Sequence, residues 1–267
     1  MATFETSLKS RLIYVFAIPD EWHKDCLKVG ETTLEEDDGN FPLPNSEVLN
    51  KAACDRIDQY TKTAGIAYNL LHTEMTVFFK GGTISSFNDK QVHSVLERSG
   101  VKKKTFDTVK GANEWFCCDL ETVKKALHAV KNGRNSLNAS DISYTQTPII
   151  FRPEQQAAID KTKKQFKKGA QMLWNAKMRF GKTLCALRVA RDLEMRRTII
   201  LTHRPVVDES WFEDFGKIFY DRTDYHYGSR TKGEDFTSLE RLAKKGDRYV
   251  YFASMQDMRC PVGRWKI

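Results

Sequence analysis

Residues 171–183 read QMLWNAKMRFGKT, and how this stretch is read decides the fold of the second half of the chain. An apolar segment runs into a turn and then into Gly181, Lys182 and Thr183. The helix-forming run GKTLCALRVARDLEMR follows. A turn between a strand and a helix directs backbone N–H groups inward, and the helix start adds the positive end of its dipole. Lys182 is then expected to reach the β- and γ-phosphates of a nucleotide, and the Thr183 hydroxyl to ligate its magnesium. Ala176 takes the place where a first glycine is usual, and a methyl group still permits close approach.

Outward from this loop, PEQQAAIDKTKKQFKKG is expected to be a helix with Pro153 in its first turn. QMLWN (171–175), RTIILTH and part of DRYVYFASMQDM read as strands, and VVDESWFEDFGKIFY as a helix. Strands that alternate with helices in this way predict a parallel α/β sheet. The first half gives a different order. RLIYVFAI (11–18) and CLKVGETT (26–33) are strands, and a helix capped by Ser46 runs to about Lys62. Next come one strand over 70–80, a helix opened by Asn88 or Asp89, a short strand at 114–118, and a helix capped by Asp119. That is a small α/β sandwich. Segment 132–149 is rich in Asn, Ser and Thr and reads as a linker between domains at 1–131 and 150–267.

Composition narrows the class. With 267 residues, 40% hydrophobic and 29% charged, the chain has the make-up of a soluble globular protein with room for two domains. No apolar run approaches the roughly 20 residues that span a bilayer, so no membrane partner is expected. The N-terminus lacks the layout of a signal peptide. The six cysteines include no C-x-x-C pair and read as reduced thiols of a cytoplasmic protein. A net charge of +8 suits a polyanionic partner, although the basic run KTKKQFKKG (161–169) is more often a solvated helix face.

The motif order sharpens the second half. FRPEQQAAI precedes the phosphate loop, IILTHRPVVDESWFEDF follows its helix, and YVYFASMQDMR comes later. In this order they resemble the leading motifs of superfamily 2 helicases and translocases, closest to restriction-enzyme motor subunits. The resemblance implies a RecA-like parallel motor lobe that uses ATP with Mg²⁺, and Gln155 reading adenine. It implies that THRP (202–205) and SMQ (254–256) lie along a nucleic acid backbone. The ATP site would comprise Gln155, Ala176, Gly181, Lys182 and Thr183. The family also carries a D-E-x-x box on a later strand. Asp208–Glu209 imitates it but lies only 25 residues after Thr183, within an earlier motif. The lobe is therefore expected to stop before that box, and the chain to be part of a longer protein whose ATPase is inactive in this piece.

The first half carries a second constellation. Leu12-Ile13-Tyr14 and Lys28-Val29-Gly30 resemble the paired triplets of the GIY-YIG nuclease superfamily, in its phage-type branch where the second triplet is commonly K-I-G. Arg56 matches the family's arginine. DKQVHSVL matches its E-x-x-x-H helix, with Asp89 in place of Glu and His93 a turn later, and NEWF matches a late strand. The resemblance implies a DNA endonuclease dependent on Mg²⁺ or Mn²⁺. Tyr14 would act as base or orient the water, with Lys28 assisting it. Arg56 would grip the phosphate and Asp89 hold the metal, with His93 beside it on the helix face. Glu114 would be either a second metal carboxylate or a structural hydrogen-bond partner.

Cleaving a phosphodiester needs such parts: an activated water, neutralised phosphorane charge and help for the leaving oxygen. The pairing of nuclease and motor implies restriction or phage defence, with further helicase, methyltransferase or specificity components as partners. The alternatives are a GIY-YIG fold that has lost cutting and only targets the helicase to DNA, and an ATP-dependent interaction switch with no nucleic acid partner.

Overall fold

A computed structural model describes residues 10–34, 41–106, 114–141, 149–203 and 207–256. The chain divides into two compact units, Met1–Arg134 and Asn135–Ile267.

The first unit is built on an antiparallel sheet of order β3-β1-β2-β6. Its strands are β1 (Arg11–Ala17), β2 (Leu27–Thr33), β3 (Asn69–Met75) and β6 (Trp115–Phe116). Strand alternation gives the sheet two distinct faces. Leu12, Tyr14 and Phe16 of β1 share one core with Leu49, Ala53 and Ile57 of helix α1 (Glu47–Thr61), and Trp115 joins them. Ile13, Val15 and Val29 are buried on the other face. Helix α2 (Asp89–Arg98) packs against β2, and helix α3 (Leu120–Lys131) packs against α2. Asn88 and Gln91 close a reciprocal cap on α2, and Asp119 caps α3 through the Thr122 N–H. Ser46 occupies the N-cap of α1 but makes no side-chain cap bond.

The single strand read over 70–80 is instead two strands in two sheets. Thr76 ends β3 by bonding back to the Arg11 carbonyl. The chain then turns into a hairpin of β4 (Val77–Lys80) and β5 (Thr83–Ser86). Gly81 and Gly82 form its two-residue turn, both at positive φ, as tight hairpin turns require.

In the second unit, β7 (Arg197–Thr202), β8 (Tyr225–Gly228) and β9 (Arg248–Ser254) form a parallel sheet of order β7-β9-β8. Helices α4 (Pro153–Phe166), α5 (Lys182–Asp192) and α6 (Asp208–Phe219) pack in sequence. The core joins Phe215, Ile218 and Phe219 of α6 to Tyr225, Tyr227, Val250 and Phe252 of the sheet. The expected alternation is present, but QMLWN forms no strand. Trp174 donates its indole N–H to Thr162 on α4 at 2.7 Å, while Leu173 stays exposed, so side-chain packing on the helix replaces sheet pairing here. Strand β8 and helix α7 (Phe236–Lys244) are additions to the sequence reading. Within the stretch read as linker, Asn135 and Ser136 give their backbone N–H groups to the fully buried Glu234, so 135–141 is fastened to the second unit. Residues 142–148 lie outside the described residues, as do Arg204 and Pro205 of the THRP motif.

Candidate active site and phosphate loop

Strand register assembles the first site. Tyr14 pairs directly with Gly30 across β1 and β2. A Cβ at Gly30 would stand 2.6 Å from the Tyr14 ring and hydroxyl, so the glycine is the space that the phenol fills. Lys28, two residues along, faces the same side and forms a 3.5 Å ion pair with Glu114. Its ammonium lies 4.4 Å from the centre of the Tyr60 ring. Arg56 and Tyr60 sit one turn apart on α1 and so reach the same place. Arg56 is exposed, bonds Gln59 at 2.7 Å, and lines an open cleft of about 380 Å³ with Thr32, Lys51 and Asp55.

The electrostatics of the cluster are asymmetric. Burial raises the Tyr14 pKa, while the neighbouring Tyr60 and Arg56 draw it back down. The phenol therefore stays protonated near neutral pH and is better placed to orient a water than to take its proton. Burial pushes the Tyr60 hydroxyl higher still. That hydroxyl stands near enough to Tyr14 to bias its ionisation, yet no partner meets hydrogen-bond geometry. Burial lowers the Lys28 pKa, the ion pair with Glu114 opposes this, and Arg56 lowers it further. A lysine shifted this way supplies more neutral amine at working pH. Tyr60 is the member that sequence reasoning missed. Its spacing of four from Arg56 was the available signal.

Asp89 and His93 do not join this cluster. The His93 ring packs 5.1 Å from Phe116, and its Nε2 bonds the Val29 carbonyl at 2.8 Å. Val29 and Phe116 face away from Tyr14, since both alternate with members of the Tyr14 core. The Asp89 backbone N–H bonds Glu31, which is on that same far side. Both residues do share one face of α2, as their spacing implied, but α2 lies against the opposite side of the sheet. His93 caps a carbonyl that β6 leaves behind where it diverges from β2. Of the expected carboxylates, Glu114 is the one beside Lys28. Among the described residues no three His, Cys, Asp or Glu side chains group to hold a metal. One carboxylate still fits Mg²⁺, which commonly takes one or two protein carboxylates and completes its shell with waters and substrate phosphate. Glu114 would hold the ion, which would supply Lewis-acid stabilisation of phosphate charge.

The second site is the loop before α5. Gly181 is the N-cap of α5 at φ +88°, and Arg179 is also left-handed at φ +60°, so the backbone curls tightly. Lys182 opens the helix, and its Nζ points back into the loop, donating to the carbonyls of Ala176 at 3.1 Å and Lys177 at 2.7 Å. Thr183 follows in the first turn. Gln155 is buried, accepts from the Arg152 N–H at 2.8 Å and donates to the Phe180 carbonyl at 2.6 Å. Its amide therefore braces the loop, and reading adenine would require exchanging those bonds. Asp208 accepts from the hydroxyls of Tyr227, Ser229 and Thr231 at 2.6 to 2.7 Å. It serves as a buried anchor for the β8 end. Ser254 ends β9, where it is fully buried.

A parallel sheet with a glycine-capped phosphate loop opening a helix defines the second unit as a RecA-like nucleotide-binding lobe. Residues 148–263 match the family model of the type III restriction enzyme, res subunit, a superfamily 2 helicase-like domain that uses ATP with Mg²⁺. The match lies wholly inside the second unit. Neither a curated protein nor a solved structure matches the chain. No helix among the described residues is long and apolar enough to cross a membrane.

Proposed function

We propose that the first unit is a metal-dependent DNA endonuclease of the GIY-YIG kind, coupled to a helicase-like motor lobe in a restriction or phage-defence enzyme. The observation that carries this reading is the convergence of Tyr14, Lys28, Arg56, Tyr60 and Glu114 on one sheet face around Gly30. Tyr14 orients the attacking water and Lys28, as neutral amine, accepts its proton. Arg56, at the edge of the open cleft, neutralises charge on the scissile phosphate. Glu114 holds the divalent ion. In the second unit, Lys182 and Thr183 bind the phosphates and magnesium of ATP, and Thr202 with the Ser254–Gln256 segment lies along the DNA backbone. A methyltransferase subunit is the natural partner for a res-type motor, and DNA is the shared substrate.

The test is nicking of supercoiled plasmid by the 267-residue protein in Mg²⁺ or Mn²⁺, against an Arg56→Ala control. Nicking that survives unchanged in the control defeats the assignment. A second reading, a DNA-targeting module without cutting activity, is favoured by one observation: Asp89, the family's helix carboxylate, lies on the far side of the sheet. Salt-dependent DNA binding with no cleavage by the wild-type protein in either metal would establish that reading instead.

A further inference from the structure

The thiols of Cys26 and Cys117 lie 3.2 Å apart, although 91 positions separate them in the chain. Cys26 immediately precedes β2 and is buried; Cys117 immediately follows β6 and is exposed. They continue the register of the Leu27–Phe116 and Lys28–Trp115 pairs by one step. The Val29 N–H bonds the Glu114 carbonyl, so narrow and wide positions alternate down the ladder and Cys26–Cys117 falls at a site without mutual backbone bonds. In agreement, the Cys26 N–H goes to His23 and the Cys117 N–H to Lys102. Opposed residues at such sites have Cα atoms about 4.5 Å apart, inside the range of about 4.4–6.8 Å that a disulfide spans. Side chains there also lie on one face, so the two sulfurs meet without backbone movement.

We propose that Cys26 and Cys117 are a reversible redox modification site, closing a cross-strand disulfide between β2 and β6 when a peroxide oxidises the protein. The exposed Cys117 sulfur attacks the peroxide. The O–O bond breaks, one oxygen stays on sulfur as a sulfenic acid, and the other leaves as water. The Cys26 sulfur then attacks the Cys117 sulfur, the S–S bond forms, the S–O bond breaks and a second water leaves. Two thiols thus lose two electrons and two protons to one peroxide. Exposure makes Cys117 the attacking thiol. Burial and the contact with Cys117 push the Cys26 pKa up to about 11, which suits a resolving partner that reacts only with a neighbour already in place.

The consequence is mechanical. β6 has only two residues; besides its pairing with β2 it is held on its other side by an isolated bridge between Lys103 and Phe116, yet it carries Trp115 into the Tyr14 core and leaves Glu114 beside Lys28. A covalent bond at its end would hold that edge strand in register. The proposal stands whether or not the first unit cuts DNA, because its readouts are mass and melting temperature.

The test treats the full chain with hydrogen peroxide and maps its peptides by mass. The expected result is a loss of two hydrogen masses per chain, located in a Cys26–Cys117 cross-linked peptide and reversed by a dithiol. The thermal midpoint should rise by about 5 °C or more, since the bond closes a long loop of the unfolded chain. Cys117→Ser, at an exposed position, should fold normally and lose both effects. Cys118→Ser should keep both. A map showing Cys26 still free, Cys117 linked to Cys118, or only intermolecular bonds would overturn the proposal. An unchanged midpoint with the correct link would overturn the claim that the bond holds β6.

Discussion

Gly30 and Gly181 look alike in the sequence, each closing a motif, but the structure demands them for different reasons. A Cβ on Gly30 would collide with the Tyr14 ring, while the backbone there is ordinary extended strand. A Cβ on Gly181 would collide with the Gln155 amide at the same 2.6 Å, and its φ of +88° is also one that other residues avoid. The first glycine makes room for the Tyr14 ring. The second allows a backbone shape and accepts a brace. One site is thus built from side chains that meet across a sheet, and the other from a loop whose geometry is local.

This contrast can be broken most severely at Lys182. In a complete motor, Lys182→Ala should abolish ATP-dependent movement along DNA, because the cation on the β- and γ-phosphates is lost, and should leave plasmid nicking unchanged. Equal loss of both activities, measured by translocation and nicking assays, would mean one composite site. Arg56→Ala should slow nicking by about 10²–10³-fold, the usual cost of removing one preorganised charge donor. Asp89→Ala should stay within about threefold of wild type, because Asp89 lies across the sheet from the site; a loss as large as that of Arg56→Ala would place the metal on α2 and refute the contrast.

A smaller effect concerns pH. Lys28 acts as the neutral amine and its pKa lies below the ordinary lysine value, so nicking should climb about tenfold per pH unit on the acid side of that pKa. Lys28→Arg, which stays charged, should flatten the profile; an unaltered slope would remove Lys28 from the proton transfer. The smallest effects are on stability. Gly30→Ala should cost about 1–3 kcal/mol through overpacking. Gly181→Ala should add a left-handed backbone penalty of about 1–2 kcal/mol to its own clash. Denaturant melts would show the order, and a Gly30→Ala protein as stable as wild type would mean that the Tyr14 ring can move aside.

Local signals carried much of this reading. Caps at Asn88 and Asp119, Pro153 at the start of α4, and Gly181 before α5 are decided within four or five residues, so their helices could be placed before any packing was known. Gly181 before Lys182 and Thr183 likewise marks a helix start through local backbone geometry. The apolar run LIYVF and the segment LKVGETT indicated two strands. Their pairing, with Tyr14 set over Gly30, was decided by a register that only the turn and the buried face impose.

What the linear order could not supply was which side of the sheet each helix covers. The spacing of Asp89 and His93 put them on one helix face, yet helix periodicity carries no information about the layer in which the helix packs. The contact of Cys26 with Cys117, the brace of Gln155 on the phosphate loop and the burial of Asp208 under three hydroxyls have the same origin. Each joins residues from separate segments, and burial and hydrogen-bond demand become defined only when those segments pack. The sequence therefore determined the capped helices, the first two strands and the loop before α5, whose causes are short-range. Tertiary structure alone decided the company of Tyr14: Lys28, Arg56, Tyr60 and Glu114 gathered on its face, and Asp89 left on the other.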